Sequence, residues 1–135
     1  LGLQNGPKDQ DWHRADIKSA LEKRRYYAQR SFSSGWCAEF TRKAIQAGGI
    51  TLGHTYHAKD YGPMLRSAGF TAIGTYEMPR EGDVIIIQPY AGGNPSGHMA
   101  IYDGAEWYSD FKQRDMWAGP GYRAARPSYT IYRKN

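Results

Sequence analysis

The stretch Ser96-Gly97-His98-Met99-Ala100-Ile101-Tyr102-Asp103-Gly104-Ala105-Glu106-Trp107-Tyr108-Ser109-Asp110-Phe111 decides the fold. Asp103-Gly104 is a tight-turn signal between two segments rich in β-branched and aromatic residues, so residues 98–102 and 106–111 are expected to pair as an antiparallel hairpin. Upstream, Val84-Ile85-Ile86-Ile87 is a run of β-branched residues closed by Gln88, which reads as a buried central strand. Residues 78–83 form the turn that feeds it, and Phe70–Tyr76 reads as a short strand before that turn. Ser128–Arg133, with Tyr129, Ile131 and Arg133 alternating, makes a last strand. Residues 89–97 and 112–127 read as loops. The carboxy-terminal half is thus expected to be an antiparallel meander of about five strands.

Before Gly69 the apolar period is helical. Trp12 to about Arg30 carries Ile17, Ala20, Leu21 and Ala28 on one stripe. After Ser33-Ser34-Gly35, the segment from Cys37 to about Ala47 places Phe40, Ala44, Ile45 and Ala47 on one face, with Gly48-Gly49 as its stop. Residues 57–68 suggest a third helix with Tyr61, Met64, Leu65 and Ala68 as its buried side, and Pro63 moves its start towards Gly62. Helices first and strands afterwards indicate an α+β class.

A length of 135 residues suits one domain, preceded by a polar arm over residues 1–11. The chain begins with Leu1, as expected of a processed form, a trimmed chain or a piece of something longer, and it carries no signal peptide as given. Mean hydropathy is −0.75, and no apolar run approaches the ~20 residues that span a bilayer. The net charge of +5 favours polyanionic partners. The basic residues are scattered rather than gathered into a stripe, which argues against nucleic acid. One cysteine excludes an internal disulfide and a cysteine-rich zinc site. His54 and His57 lack a third ligand of clear spacing, so neither a metal nor another cofactor is expected.

A lone cysteine is most often a small buried hydrophobe. Cys37, however, falls in a first helical turn, where unpaired N–H groups and the positive end of the dipole favour the thiolate. That makes it a candidate nucleophile. Of the four histidines, His98 is the best base, because it follows a glycine-rich loop and opens a strand at the rim of the sheet. Returning along the hairpin, Asp110 is expected close to His98 across the pair, where a carboxylate would orient the imidazole. The backbone N–H of Cys37 is a natural oxyanion donor, with Gln29 or Gln88 as alternatives for a second.

Four pieces in this order resemble one family: Gly35-Trp36-Cys37-Ala38-Glu39-Phe40, Pro79-Arg80-Glu81-Gly82-Asp83-Val84, Ser96-Gly97-His98-Met99-Ala100-Ile101-Tyr102 and Trp107-Tyr108-Ser109-Asp110-Phe111. They resemble the CHAP family of cysteine, histidine-dependent amidohydrolases and peptidases that cut peptidoglycan. Residues 109–117 also resemble small amidase toxins of bacterial type VI secretion. The resemblance implies a papain-like arrangement with Cys37 as nucleophile, His98 as general base and Asp110 in the third place, where the family more often has Glu or Asn. It implies a peptidoglycan peptide as substrate, a secreted protein or one delivered to the periplasm of a target bacterium, and a cognate immunity protein as inhibitor. The rival readings are a protein-directed thiol protease or deamidase toxin, and a non-catalytic cell-wall-binding module whose exposed aromatics hold glycan.

Overall fold

The computed structural model describes residues 37–47, 49–109 and 113–134, the side chains of 37–40 and 47 excepted. The expected helix over residues 12–30, the arm over 1–11 and Asp110 lie outside the described residues. Helix α1 spans Cys37–Ala47. Its Thr41, Ala44 and Ile45 are buried while Lys43 and Gln46 are exposed, the amphipathic division read from the sequence. The expected third helix divides into a 3-10 turn at Ala58–Asp60 and helix α2 at Gly62–Ser67, with Pro63 in the first turn. There its missing N–H has no helical partner to lose. Tyr61 and Leu65 are buried, and Met64 and Ala68 pack beside them as expected.

Five strands follow: β1 Thr71–Ile73, β2 Val84–Ile87, β3 His98–Tyr102, β4 Trp107–Tyr108 and β5 Tyr129–Arg133. All pairs are antiparallel, in the order β1-β5-β2-β3-β4. The Asp103-Gly104 turn forms as read. The Asp103 carboxylate accepts the backbone N–H groups of Ala105 and Glu106 at 2.8 and 2.7 Å, and Gly104 takes φ +102. Of the strand expected over 106–111, the described residues form a regular strand at Trp107–Tyr108. The sheet is not a simple meander either, because β5 inserts between β1 and β2.

What holds β5 there is charge as well as register. Arg133 Nε and Nη2 donate to Asp83 at 3.0 and 2.8 Å, and Nη2 also donates to the carbonyl of Met78 at 3.0 Å. Asp83 and Arg133 are 1 % and 5 % exposed, so this is a buried, hydrogen-bonded ion pair. Asp83 also accepts the N–H of Arg80 at 2.8 Å, which fixes the turn feeding β2. Strand alternation puts Arg133 on the covered face of Ile131, and the carboxylate at the start of β2 supplies the partner that a buried charge needs there. The hydrogen bond to Asp83 raises the Arg133 pKa above its ordinary value, against the opposing effect of burial. With the folded value raised, the guanidinium's contribution is fully present below the ordinary value and is lost only above it.

All four residues of β2 are buried, so both faces of the sheet are covered. Val84, Ile86, Met99, Ile101, Tyr108 and Tyr132 face α1, the 3-10 turn and α2. Ile85, Ile87, Ala100, Trp107 and Ile131 face a second layer containing Trp117 and Tyr122. That layer comes from residues 113–126. The loop expected over residues 112–127 contains helix α3 at Pro120–Ala125. Among the described residues no helix is long and apolar enough to cross a membrane. Removing one partner of the buried pair, by Asp83→Asn or Arg133→Met, should lower the unfolding free energy by about 3–5 kcal/mol. Urea denaturation checks this, and the double variant should lose less than the sum of the two.

Candidate active site

The entry to β3 is built around a glycine. Gly97 has φ +73, and a Cβ there would lie 2.6 Å from the carbonyl oxygen of Ile87, the strand partner of His98. Only glycine meets both demands. The residue before it is clamped from the side: the N–H of Lys59 donates to the carbonyl of Ser96 at 2.9 Å, and His57 Nδ1 lies 2.8 Å from Ser96 Oγ. His98 therefore opens β3 from a fixed backbone, as expected.

His98 is 3 % exposed. Strand alternation puts it on the face of Ala100, the face covered by the second layer. Its Nε2 lies 2.6 Å from Oε1 of Gln113, which is itself 3 % exposed. The orientation of the Gln113 amide is settled by its other end. Nε2 of Gln113 donates to the carbonyls of Asp115 and Met116 at 3.0 and 3.3 Å, while its backbone N–H donates to Trp107 at 3.0 Å. Carbonyls accept only, so the amide nitrogen faces them and the amide oxygen faces the ring. The imidazole must then carry its proton on Nε2, and in the neutral ring Nδ1 keeps the lone pair. A tilted ring contact with Tyr122, 5.9 Å between centroids, lies beside it.

The third place expected of Asp110 concerns a residue outside those described. The described residue that bonds the His98 ring is Gln113, which the sequence reading did not single out. Register arithmetic along a hairpin finds only residues that stay in the ladder, and Gln113 comes after it. Its signal was a lone amide side chain shortly before Asp115 and Trp117; the Asp115 carboxylate accepts the N–H of Trp117 at 2.9 Å and so tightens the same turn.

Cys37 is the first residue of α1, as read from the sequence. This helix covers the face opposite the His98 ring. The hydroxyl of Thr41 donates to the carbonyl of Met99 at 3.3 Å, and Thr41 follows Cys37 by one turn on the same side of the helix. Through Thr41, Ala44 and Ile45, α1 packs on β3 at Met99 and Ile101. His54 and His57 are exposed, the former set edge-on to Tyr56 at 5.7 Å. His13 and Gln29 lie outside the described residues. Gln88 is half-buried, and its N–H extends the β2–β5 ladder by donating to Ser128 at 2.9 Å. Trp117 and Tyr122 are buried in the second core, and Tyr90 is half-buried against it.

Fold and site together define an α+β domain whose antiparallel sheet is covered on both faces, with an amide-held histidine between sheet and cover. No protein-family model matches the chain, and no curated protein does. The chain is similar to the crystal structure of the type VI native effector–immunity complex Tae3–Tai3 from Ralstonia pickettii. Identity is 49 % over 89 % of this chain and 99 % of that one, with a TM-score of 0.78. The selenomethionine form of that complex gives 50 % identity over 86 % and 99 %, with a TM-score of 0.74. The chain belongs to the Tae3 family of type VI effectors. The crystal structure of Ly7917, at 18 % identity over 85 % of this chain and 61 % of that one, with a TM-score of 0.52, shares the fold.

Long-range 15N–1H spectra should show His98 as the Nε2–H tautomer in the neutral ring. Gln113→Leu, which removes the acceptor, should turn it into a mixture.

Proposed function

We propose that this protein is a cysteine-dependent amidohydrolase that cleaves an amide bond in the peptide part of bacterial peptidoglycan, acting as a type VI toxin in the periplasm of a target cell. The observation that carries the reading is the likeness to the effector Tae3, near half identity over nearly the whole of that chain. The amide-held imidazole supports it chemically. A histidine with Nε2 bound to a carboxamide and Nδ1 left as base is the arrangement of cysteine–histidine–amide hydrolases, and Gln113 fills the amide place here. The relative was crystallised with the immunity protein Tai3, which supports a cognate inhibitor for this chain too.

In the proposed reaction the Cys37 thiol passes its proton to Nδ1 of His98. The sulfur attacks the carbonyl carbon, and the oxyanion is held by the N–H of Cys37 at the tip of α1. The C–N bond breaks as His98 gives the proton to the departing amine, leaving a thioester. His98 then takes a proton from water, whose oxygen attacks the thioester. Acid is released and the thiol returns. Through these proton transfers Gln113 keeps the ring in one orientation without adding a negative charge.

Purified muropeptides incubated with the protein and read by mass should show hydrolysis, a gain of one water per cut. Cys37→Ala and His98→Ala should each lower the rate by a factor on the order of 10³ or more while keeping the circular dichroism of the parent. Intact muropeptides with the parent protein, or full turnover by either variant, would sink the proposal. The first outcome favours a protein substrate.

A further inference from the structure

Residues 54–57 run between Leu52 and Ala58, two side chains buried in the core that α1 covers. The segment is tied down on both sides. The N–H of Thr55 donates to the hydroxyl of the buried Tyr61 at 3.4 Å, His57 Nδ1 lies 2.8 Å from Ser96 Oγ, and the N–H of Lys59 donates to the carbonyl of Ser96 at 2.9 Å. Yet this fixed segment leaves its largest side chain in water. Tyr56 is 89 % exposed, and its ring meets His54 edge-on at 5.7 Å. At that exposure at least one face of the ring is open. Single exposed aromatics are ordinary on a protein surface. Tyr76 and Met78, similarly exposed, precede β2 at Val84, the end of the sheet away from His98. Tyr56 differs in its place: Ser96, to which its loop is tied, stands two positions before His98, within roughly 8 Å between Cα atoms.

The groups around that ring are imidazoles and an amide. His54 and His57 are exposed beside it. Asn94 is exposed too; its Oδ1 accepts the N–H of Ser96 at 2.9 Å, and its amide nitrogen has no partner among the described residues. The Lys59 ammonium is bonded to Asp60 at 3.2 Å. An aromatic face edged by uncommitted hydrogen-bonding groups suits a pyranose carrying an acetamido group: the C–H face lies on the ring, and hydroxyls and acetamide meet the imidazole and amide nitrogens. A carboxylated peptide would call for an uncommitted guanidinium or ammonium instead. We propose that Tyr56, with His57 and Asn94, forms a subsite for an N-acetylated sugar of the peptidoglycan strand, from which the attached stem peptide reaches His98. This rests on the reading of the chain as a peptidoglycan amidohydrolase, and adds the glycan to what that site recognises. Because the loop is already tied to Ser96, the seat exists before substrate arrives and little ordering opposes binding.

The test compares kcat/KM on disaccharide-bearing muropeptides with kcat/KM on the same stem peptides freed of sugar. The parent protein should prefer the sugar-bearing form roughly tenfold, mainly through KM. Tyr56→Ala should bring that ratio close to one, and Tyr56→Phe, which keeps the face of the ring, should preserve it. Tyr56 is exposed, so the alanine variant should keep the circular dichroism of the parent. A parent without the preference, or a preference that survives in Tyr56→Ala, would overturn the proposal. In the second case, weaker binding of the cognate immunity protein by Tyr56→Ala would make the ring a protein contact instead. Should the parent cut neither substrate, the amidohydrolase reading fails by itself, and the subsite is read by binding. Titration with the disaccharide N-acetylglucosaminyl-N-acetylmuramic acid should then shift the Tyr56 ring signals in proton spectra. Signals that stay in place at millimolar sugar would overturn the subsite.

Discussion

The structure depends on one constraint: four consecutive apolar residues, Val84 to Ile87, point alternately to both faces of the central strand, and none can be left wet. Burying such a side chain is worth about 1.5–3 kcal/mol each, so both faces of the sheet need a cover. Helix α1, the 3-10 turn and α2 supply one. Residues 113–126 supply the other, and Ile87 carries that second cover to the end of the sheet where His98 begins its strand. The imidazole is buried because the strand beside it requires a roof, and the roof brings the glutamine and the tyrosines to the ring.

Much of this was legible in the sequence, and the reasons differ by element. The central strand, the Asp103-Gly104 hairpin and the amphipathic helix from Cys37 carry strong local patterns and formed where read. His98 is legible because it follows a glycine-rich loop and opens a strand, and both are local signals. The insertion of β5 between β1 and β2 was not legible. It is decided by a contact between Asp83 and Arg133, fifty residues apart, and no periodicity within β5 records it.

The second cover was missed for a related reason. Residues 112–127 contain Gly119, Pro120 and Gly121, which locally signal a turn, yet Pro120 opens a helix and Gly121 makes room for Tyr90. Gln113 went with them. An amide has no charge pattern to attract notice, and its role arises from two backbone carbonyls that aim it at a ring fifteen residues away. The aromatics of this region serve as packing, because the face they occupy belongs to the strand run rather than to solvent.

The place of β5 also bears on biosynthesis. A nascent chain whose synthesis has reached only the β3–β4 hairpin has β1 and β2 with no strand to join them, and the partner of Asp83 has not yet been made. Long-range pairing of this kind forms late. A bacterium translating such an effector would hold an incomplete sheet until residues 129–133 emerge from the ribosome.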